Sequence, residues 1–129
     1  MRDFRKLKVW ERSHKLTLEV YRVTESFPAS ELYGLTSQLR RGAASVPANI
    51  AEGAGRNGDV ELARFLDIAL GSASELDYHL LLSRDLGYIP VRQSENLQAE
   101  ALEIKRMLGG LIHRLRDGTS KRVVAKSQS

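Results

Sequence analysis

The sequence predicts an all-α protein, an antiparallel up-down-up-down bundle of four helices, and three observations carry that prediction. Four long segments repeat apolar residues at alternating spacings of four and three, the period of a helix that packs one face on its neighbours. The alternation of β-branched residues that marks strands is absent nearly everywhere. Only three prolines occur, Pro28, Pro47 and Pro90, and two of them fall at natural breaks between the periodic segments. At 129 residues the chain is long enough to bury a core as one domain, expected over residues 1–117.

The first segment runs from about Asp3 to Ser26. Leu16, Val20, Val23 and Phe27 form its main stripe, and Trp10, His14, Thr17 and Tyr21 form an adjacent, more polar one. Two stripes let one helix touch a neighbour in its own core and another outside it. Phe27-Pro28 ends the segment, because the residue before proline disfavours the helical region. Ser30 is the expected N-cap of the second helix. Leu32, Leu35, Leu39, Ala43, Val46 and Ile50 repeat through that helix, with Pro47 inside the pattern. Proline removes one backbone bond and crowds the carbonyl one turn earlier, so a kink is expected near Ala43 to Pro47. Around it, Gly42, Ala43, Ala44, Ser45, Ala48 and Ala51 offer little bulk, and another helix is expected to approach closely there. Gly53 is the expected residue just past the helix end.

The third helix follows a glycine-rich connection and spans about Asp59 to Leu86. Leu62, Leu66, Ala69, Ala73, Leu76 and Leu80 form its seam. Gly71 interrupts the interior at about 1 kcal/mol relative to alanine, so it is expected to face the small residues of the second helix. Gly87 ends the helix, and Tyr88-Ile89-Pro90 turns the chain. The fourth helix spans about Val91 to Arg116 on Leu97, Ala101, Ile104, Leu108, Leu111 and Leu115. Each helix is expected to be roughly 35 Å long. Residues 118–129 are polar and aperiodic, an expected disordered basic tail.

The formal net charge is +4, and three of those charges, Lys121, Arg122 and Lys126, lie in the tail. There is no cysteine, which removes disulfides, thiolate metal sites and cysteine nucleophiles. The first fifteen residues are too charged for a secretory signal, and no apolar run approaches the roughly 20 residues that span a bilayer. A cytoplasmic protein with no membrane partner is expected.

The residues also resemble a known family. Phe4-Arg5-Lys6-Leu7 with Val9-Trp10, Val20-Tyr21, and Phe27-Pro28 followed by Glu31-Leu32-Tyr33-Gly34-Leu35 open the resemblance. Gln38-Leu39-Arg40-Arg41 and Ser45-Val46-Pro47-Ala48-Asn49-Ile50-Ala51-Glu52-Gly53 continue it. Gly55-Arg56, Phe65-Leu66, Ala69, Gly71-Ser72 and Glu75-Leu76 complete it. In register, these resemble the 23S rRNA intervening-sequence proteins, often called four helix bundle proteins. They also resemble the related accessory variability determinants of diversity-generating retroelements. Residues 4 to 115 carry the likeness. It implies a four-helix bundle in a ring-like homopentamer, with no enzymatic activity. In the retroelement members it implies binding of nucleic acid and of a reverse transcriptase through a basic surface. The chain departs from the pattern at Gly42 (usually alanine), Gly58 (often a capping serine) and Ala73 (usually leucine), which loosens helix starts and packing.

No catalytic set emerges from the residues. Gly53 to Gly58 spells GxGxxG, but a helix precedes it where a dinucleotide site needs a strand. Arg56 beside that loop either adds charge for a phosphate or pairs with Glu52 in a tight turn. Asn49 and Glu52 lie one turn apart without an acid or histidine to complete a catalytic pair, so hydrogen bonding to a neighbouring helix terminus or subunit is expected. His14, His79 and His113 stand singly, and no metal or cofactor is expected. Ser72 and Ser74 lack a general base and read as packing residues.

Basic residues recur on two helices: Arg5, Lys6, Lys8, Arg12 and Lys15 on the first, and Lys105, Arg106, Arg114 and Arg116 on the fourth. Gathered on one face and multiplied by assembly, they are expected to bind the phosphate backbone of RNA or DNA. Ordinary solvated charge is the competing reading, since Asp3, Glu11, Glu100 and Glu103 are interleaved. Trp10, Tyr21 and Arg56 are the expected subunit-interface residues. The competing function is a self-assembled scaffold that binds another protein without nucleic acid.

Overall fold

The computed structural model describes the backbone of residues 2–128 and the side chains of residues 2–118. Within these, four α-helices form and no strand does: α1 (Lys8–Thr24), α2 (Leu35–Ala54), α3 (Asp59–Asp85) and α4 (Val91–Gln128). The disordered tail expected over residues 118–129 lies, from 119 on, outside the described side chains, and α4 runs past its expected end at Arg116 to Gln128. α1 packs on α2 and α4, and α3 packs on α2 and α4. The diagonal pairs bring no Cα atoms within 8 Å of each other among the described residues, so the four helices surround one core as a bundle.

The main stripes meet at that core. Leu16, Val20, Val23 and Phe27 are buried with Leu35, Leu39, Ala43, Val46 and Ile50 of α2. The α3 seam Leu62, Leu66, Ala69, Ala73, Leu76 and Leu80 closes on Leu97, Ala101, Ile104, Leu108, Ile112 and Leu115 of α4. On α4, Ile112 is buried where Leu111 was expected, and Leu111 lies at the margin.

Contact pairs fix how the helices lie. The Arg2 amide donates to the Ala54 carbonyl at 2.8 Å. The Thr17 hydroxyl donates to the Ala43 carbonyl at 3.0 Å, and Arg40 Nε donates to Thr24 Oγ1 at 2.9 Å. Ser45 meets Ser72 across α2 and α3 at 2.8 Å. Ser94 Oγ donates to the Leu80 carbonyl at 3.0 Å between α4 and α3, and Arg116 pairs with Asp67. One end of the bundle therefore holds the chain start, the α2–α3 connection and residues near Arg116.

Several local expectations are corrected. The first helix does not start at Asp3: Phe4–Lys6 form a 3-10 turn, capped by the Asp3 side chain on the Arg5 amide, and Leu7 is extended at φ −83° and ψ 123°. Arg2 is tethered to Ala54, so the chain must change direction before α1 begins. Ser30 does not cap α2. Ala29–Glu31 form a second 3-10 turn, and Leu32 is exposed. α2 starts at Leu35, whose amide donates to Glu31 Oε1 at 3.2 Å. Glu31 Oε2 also accepts from the Tyr88 hydroxyl at 3.0 Å, which ties the start of α2 to the α3–α4 turn.

Pro47 sits in a helix that runs unbroken from Leu35 to Ala54. Its missing N–H leaves the Ala43 carbonyl without its intrahelical donor, and the Thr17 hydroxyl reaches it from α1 at 3.0 Å, sharing its one proton with the Ser13 carbonyl at 2.8 Å. Gly53 is not a terminal residue. It is buried inside α2, and a Cβ there would lie 2.8 Å from Phe65 Cβ and 3.1 Å from Leu62 Cδ1. α2 and α3 thus pack closely at Gly53. Gly71 faces outward, with nothing within 4 Å of a Cβ built on it, and Ser72 takes the place against α2. The positive φ of Gly58 (87°) and Gly87 (78°) turns the chain before α3 and after it.

Candidate nucleic-acid interface

The α1–α4 seam brings the two basic helices together. Lys8 and Val9 of α1 face Arg106, Met107, Gly110, Leu111 and Arg114 of α4 across a groove of about 270 Å³. Val9 is buried, and Met107 and Leu111 are half-buried against the core. The apolar floor holds the two helices at a fixed spacing, and the long basic side chains stand at the rims.

The nine expected basic residues divide by whether an acid already holds them. Arg12 donates from Nε and Nη2 to both carboxylate oxygens of Glu100, each at 2.8 Å, and lies 3.6 Å from Glu103. Arg106 forks onto Glu103. The hydrogen bond from Arg106 draws the Glu103 carboxyl below its ordinary value; burial opposes it, and the charges of Arg106 and Arg12 add to the lowering. Glu100 acts on Arg12 the same way, holding its guanidinium more firmly protonated by hydrogen bonding. Arg116 pairs with Asp67, Lys15 with Glu11 at 3.2 Å, and Arg5 loosely with Asp3 at 3.7 Å. Lys6, Lys8, Lys105 and Arg114 have no acidic partner among the described residues.

Charge is also unequal between the two halves of the bundle. Residues 2–12, 48–69 and 103–118 share the end with the chain start and hold 11 Lys and Arg against 8 Asp and Glu. Residues 13–47 and 70–102, at the other end, hold 6 against 8. In the first half Asp3, Glu11, Glu52, Asp59, Glu61, Asp67 and Glu103 are all ion-paired. What is left over there is positive. Sequence reasoning found the basic residues and missed this axial excess. The excess depends on which segments meet at one end, which contacts such as Arg2 with Ala54 and Arg116 with Asp67 decide.

The other singled-out residues have local roles. Trp10 is half-buried, edge-on to Phe4 at 4.9 Å between ring centroids and stacked on His14 at 5.0 Å. Tyr21 is 44% exposed beneath Arg40, whose guanidinium lies 4.9 Å from the ring centroid. Arg56 donates to Glu52 at 2.6 Å and lies over the Phe65 ring, the tight-turn arrangement. Asp59 and Glu61 open α3, which sets negative charge where a phosphate would have to sit. Asn49 bonds within its own helix, donating to the Ser45 carbonyl at 2.8 Å and to Ser45 Oγ at 3.0 Å; position 45 is one turn back and within reach, so no neighbouring helix terminus is needed. His79 is buried with Nδ1 unpartnered among the described residues, and His113 is exposed. Among the described residues, no three His, Asp or Glu side chains are grouped to hold a metal, and no helix is long and apolar enough to cross a membrane.

No curated protein matches the chain. A crystal structure of a protein of unknown function from the S23 ribosomal protein family of Bacteroides thetaiotaomicron has the same fold. It superposes with a TM-score of 0.75 at 24% identity, covering 81% of this chain and 95% of that one. The sequence profile of the 23S rRNA-intervening sequence proteins matches residues 5–110. That span takes in α1, α2, α3 and α4 as far as Gly110, and the chain belongs to the 23S rRNA-intervening sequence protein family.

Proposed function

We propose that this protein is a non-enzymatic, oligomeric bundle that binds the backbone of RNA or DNA through its α1–α4 basic groove. One observation carries the reading: Lys8 and Arg114 flank that groove free of acidic partners among the described residues, in the half of the bundle where the acids are already paired. A phosphate there gains charge interactions without displacing a carboxylate, and Arg106 can turn from Glu103 to join. The non-enzymatic part is supported by what the polar side chains already do. Ser72 bonds to Ser45, a hydroxyl rather than a base, and His14 is stacked on Trp10.

The bundle reading is antiparallel, up-down-up-down. Partner numbers support it, because they fall along α2 as they rise along α1: 54 with 2, 43 with 17, 40 with 24. The assembly is proposed to be a ring-like homopentamer, which brings copies of the basic end together. Family likeness supports a role as a retroelement accessory that also meets a reverse transcriptase.

Fluorescence anisotropy with labelled single- and double-stranded RNA and DNA tests the proposal. Three phosphates neutralised per protomer give a log–log salt slope of about −2.7, so a fourfold rise in salt weakens binding about 40-fold. Lys8→Glu with Arg114→Glu is expected to abolish that slope. Absence of salt-dependent binding to any of the four probes at low ionic strength refutes the proposal and leaves the protein-binding scaffold.

A further inference from the structure

We propose that residues 119–128 of α4 are a basic arm that carries the phosphate-binding surface past the end of the bundle. The inference rests on the groove reading above and adds a second set of nucleic-acid contacts to it. These residues lie beyond the family match, which ends at residue 110, so the family likeness assigns them no role.

Helix lengths place the arm. The backbone of α4 is helical over 38 residues, against 17, 20 and 27 for α1, α2 and α3. With α3 and α4 antiparallel, the Ser94 contact with Leu80 ties them near one end of the bundle. From there α3 has 21 residues back to Asp59, whereas α4 has 34 onward to Gln128. α4 thus outruns α3 by about 20 Å. The longer-reaching Arg116–Asp67 pair leaves 8 residues of α3 against 12 of α4, an excess of about 6 Å. Both contacts carry α4 past the start of α3.

Charge names the partner. The arm's sequence holds Lys121, Arg122 and Lys126, and no acid follows Asp117. It leaves the bundle at the positive end, where Lys8 and Arg114 flank the groove without acidic partners among the described residues. Arg122 and Lys126 fall one turn apart, and like charges at that spacing destabilise a helix. The helix dipole favours a cation in the last turn, which accounts for Lys126 and leaves Lys121 and Arg122 without a reason of their own. A sugar–phosphate backbone supplies closely spaced negative charge that relieves the repulsion and continues from the groove. Val123, Val124 and Ala125 are the arm's apolar residues. Three consecutive positions do not make the apolar face that seats a helix in a lipid surface, so nucleic acid is favoured over a membrane.

A salt series of RNA and DNA binding by the full chain tests this, read by fluorescence anisotropy. The groove by itself accounts for the slope of about −2.7 given above, and three further phosphates bring the full chain to about −5.4. A fourfold rise in salt then weakens wild type about 1800-fold and Lys121→Ala/Arg122→Ala/Lys126→Ala only about 40-fold. Alanine keeps helix propensity, and circular dichroism confirms that the variant is folded. Equal slopes for wild type and the triple variant overturn the arm and leave the groove standing. If Lys8→Glu/Arg114→Glu binds as wild type does while the triple variant loses binding, the arm stands and the groove reading fails. Retention on phosphatidylserine vesicles of wild type but not the triple variant, with equal nucleic-acid slopes, assigns the arm to a lipid surface and overturns the proposal. A wild type without salt-dependent binding overturns both.

Discussion

Thr17 and Pro47 are expected to be energetically coupled although they lie on different helices. Proline at 47 withdraws the N–H that would serve the Ala43 carbonyl, and the single proton of Thr17 Oγ1 is within reach of that oxygen at 3.0 Å as well as of the Ser13 carbonyl at 2.8 Å. Thr17 and Ala43 are both buried. Thr17→Val keeps the side-chain shape and removes the donor, leaving a buried carbonyl unsatisfied at about 1–3 kcal/mol. For a chain of this length each kcal/mol moves the melting temperature by about 3–4 °C, so the loss is about 3–12 °C. Pro47→Ala returns an amide N–H to the same carbonyl. In that background Thr17→Val is expected to cost less by at least about 1 kcal/mol, whatever Pro47→Ala does to stability by itself. Thermal melts of the four proteins at fixed protomer concentration, followed at 222 nm, complete the cycle. Equal losses from Thr17→Val in the two backgrounds would show that the hydroxyl does not replace the missing N–H, and would refute the argument.

Two glycines should respond to alanine with opposite signs. Gly53→Ala pushes a Cβ against the backbone-proximal Phe65 Cβ at 2.8 Å, and is expected to destabilise by about 1–3 kcal/mol despite better helix propensity. Gly71→Ala meets open space and is expected to stabilise by up to about 1 kcal/mol; denaturant titration reads both. Acid should loosen the α1–α4 seam through Glu103, whose pKa in the folded chain is lowered first by the Arg106 hydrogen bond. A lowered carboxyl pKa adds stability that is full above the ordinary carboxylate value and is lost as pH falls through the folded value. Melting temperatures taken from about pH 6 down to about pH 3 should therefore fall more steeply for wild type than for Glu103→Gln, and parallel curves would count against the assignment. Ser94→Ala removes a fully buried hydroxyl that donates to the Leu80 carbonyl. It is expected to cost about 1 kcal/mol by chemical denaturation.

The sequence by itself determined the helical class, the number of helices, the core stripes and the family, because apolar spacing and local breaks are written in neighbouring residues. Leu16, Val20 and Val23 had to face inward whatever their partners were. It did not determine the helix starts, where the tether of Arg2 to Ala54 breaks the chain at Leu7 and Glu31 caps α2 in place of Ser30. It misread Gly53 and Gly71 for one reason: a glycine's purpose depends on what stands opposite, and only the packing put Phe65 against one and open space beside the other. The candidate site divides the same way. Lys8, Arg12, Arg106 and Arg114 were legible as basic residues, yet which of them remain free depends on Glu100 and Glu103, set beside Arg12 by the packing of α4 against α1. Charge in a sequence is additive, whereas its availability to a phosphate is decided by distances of a few ångströms between residues some ninety positions apart.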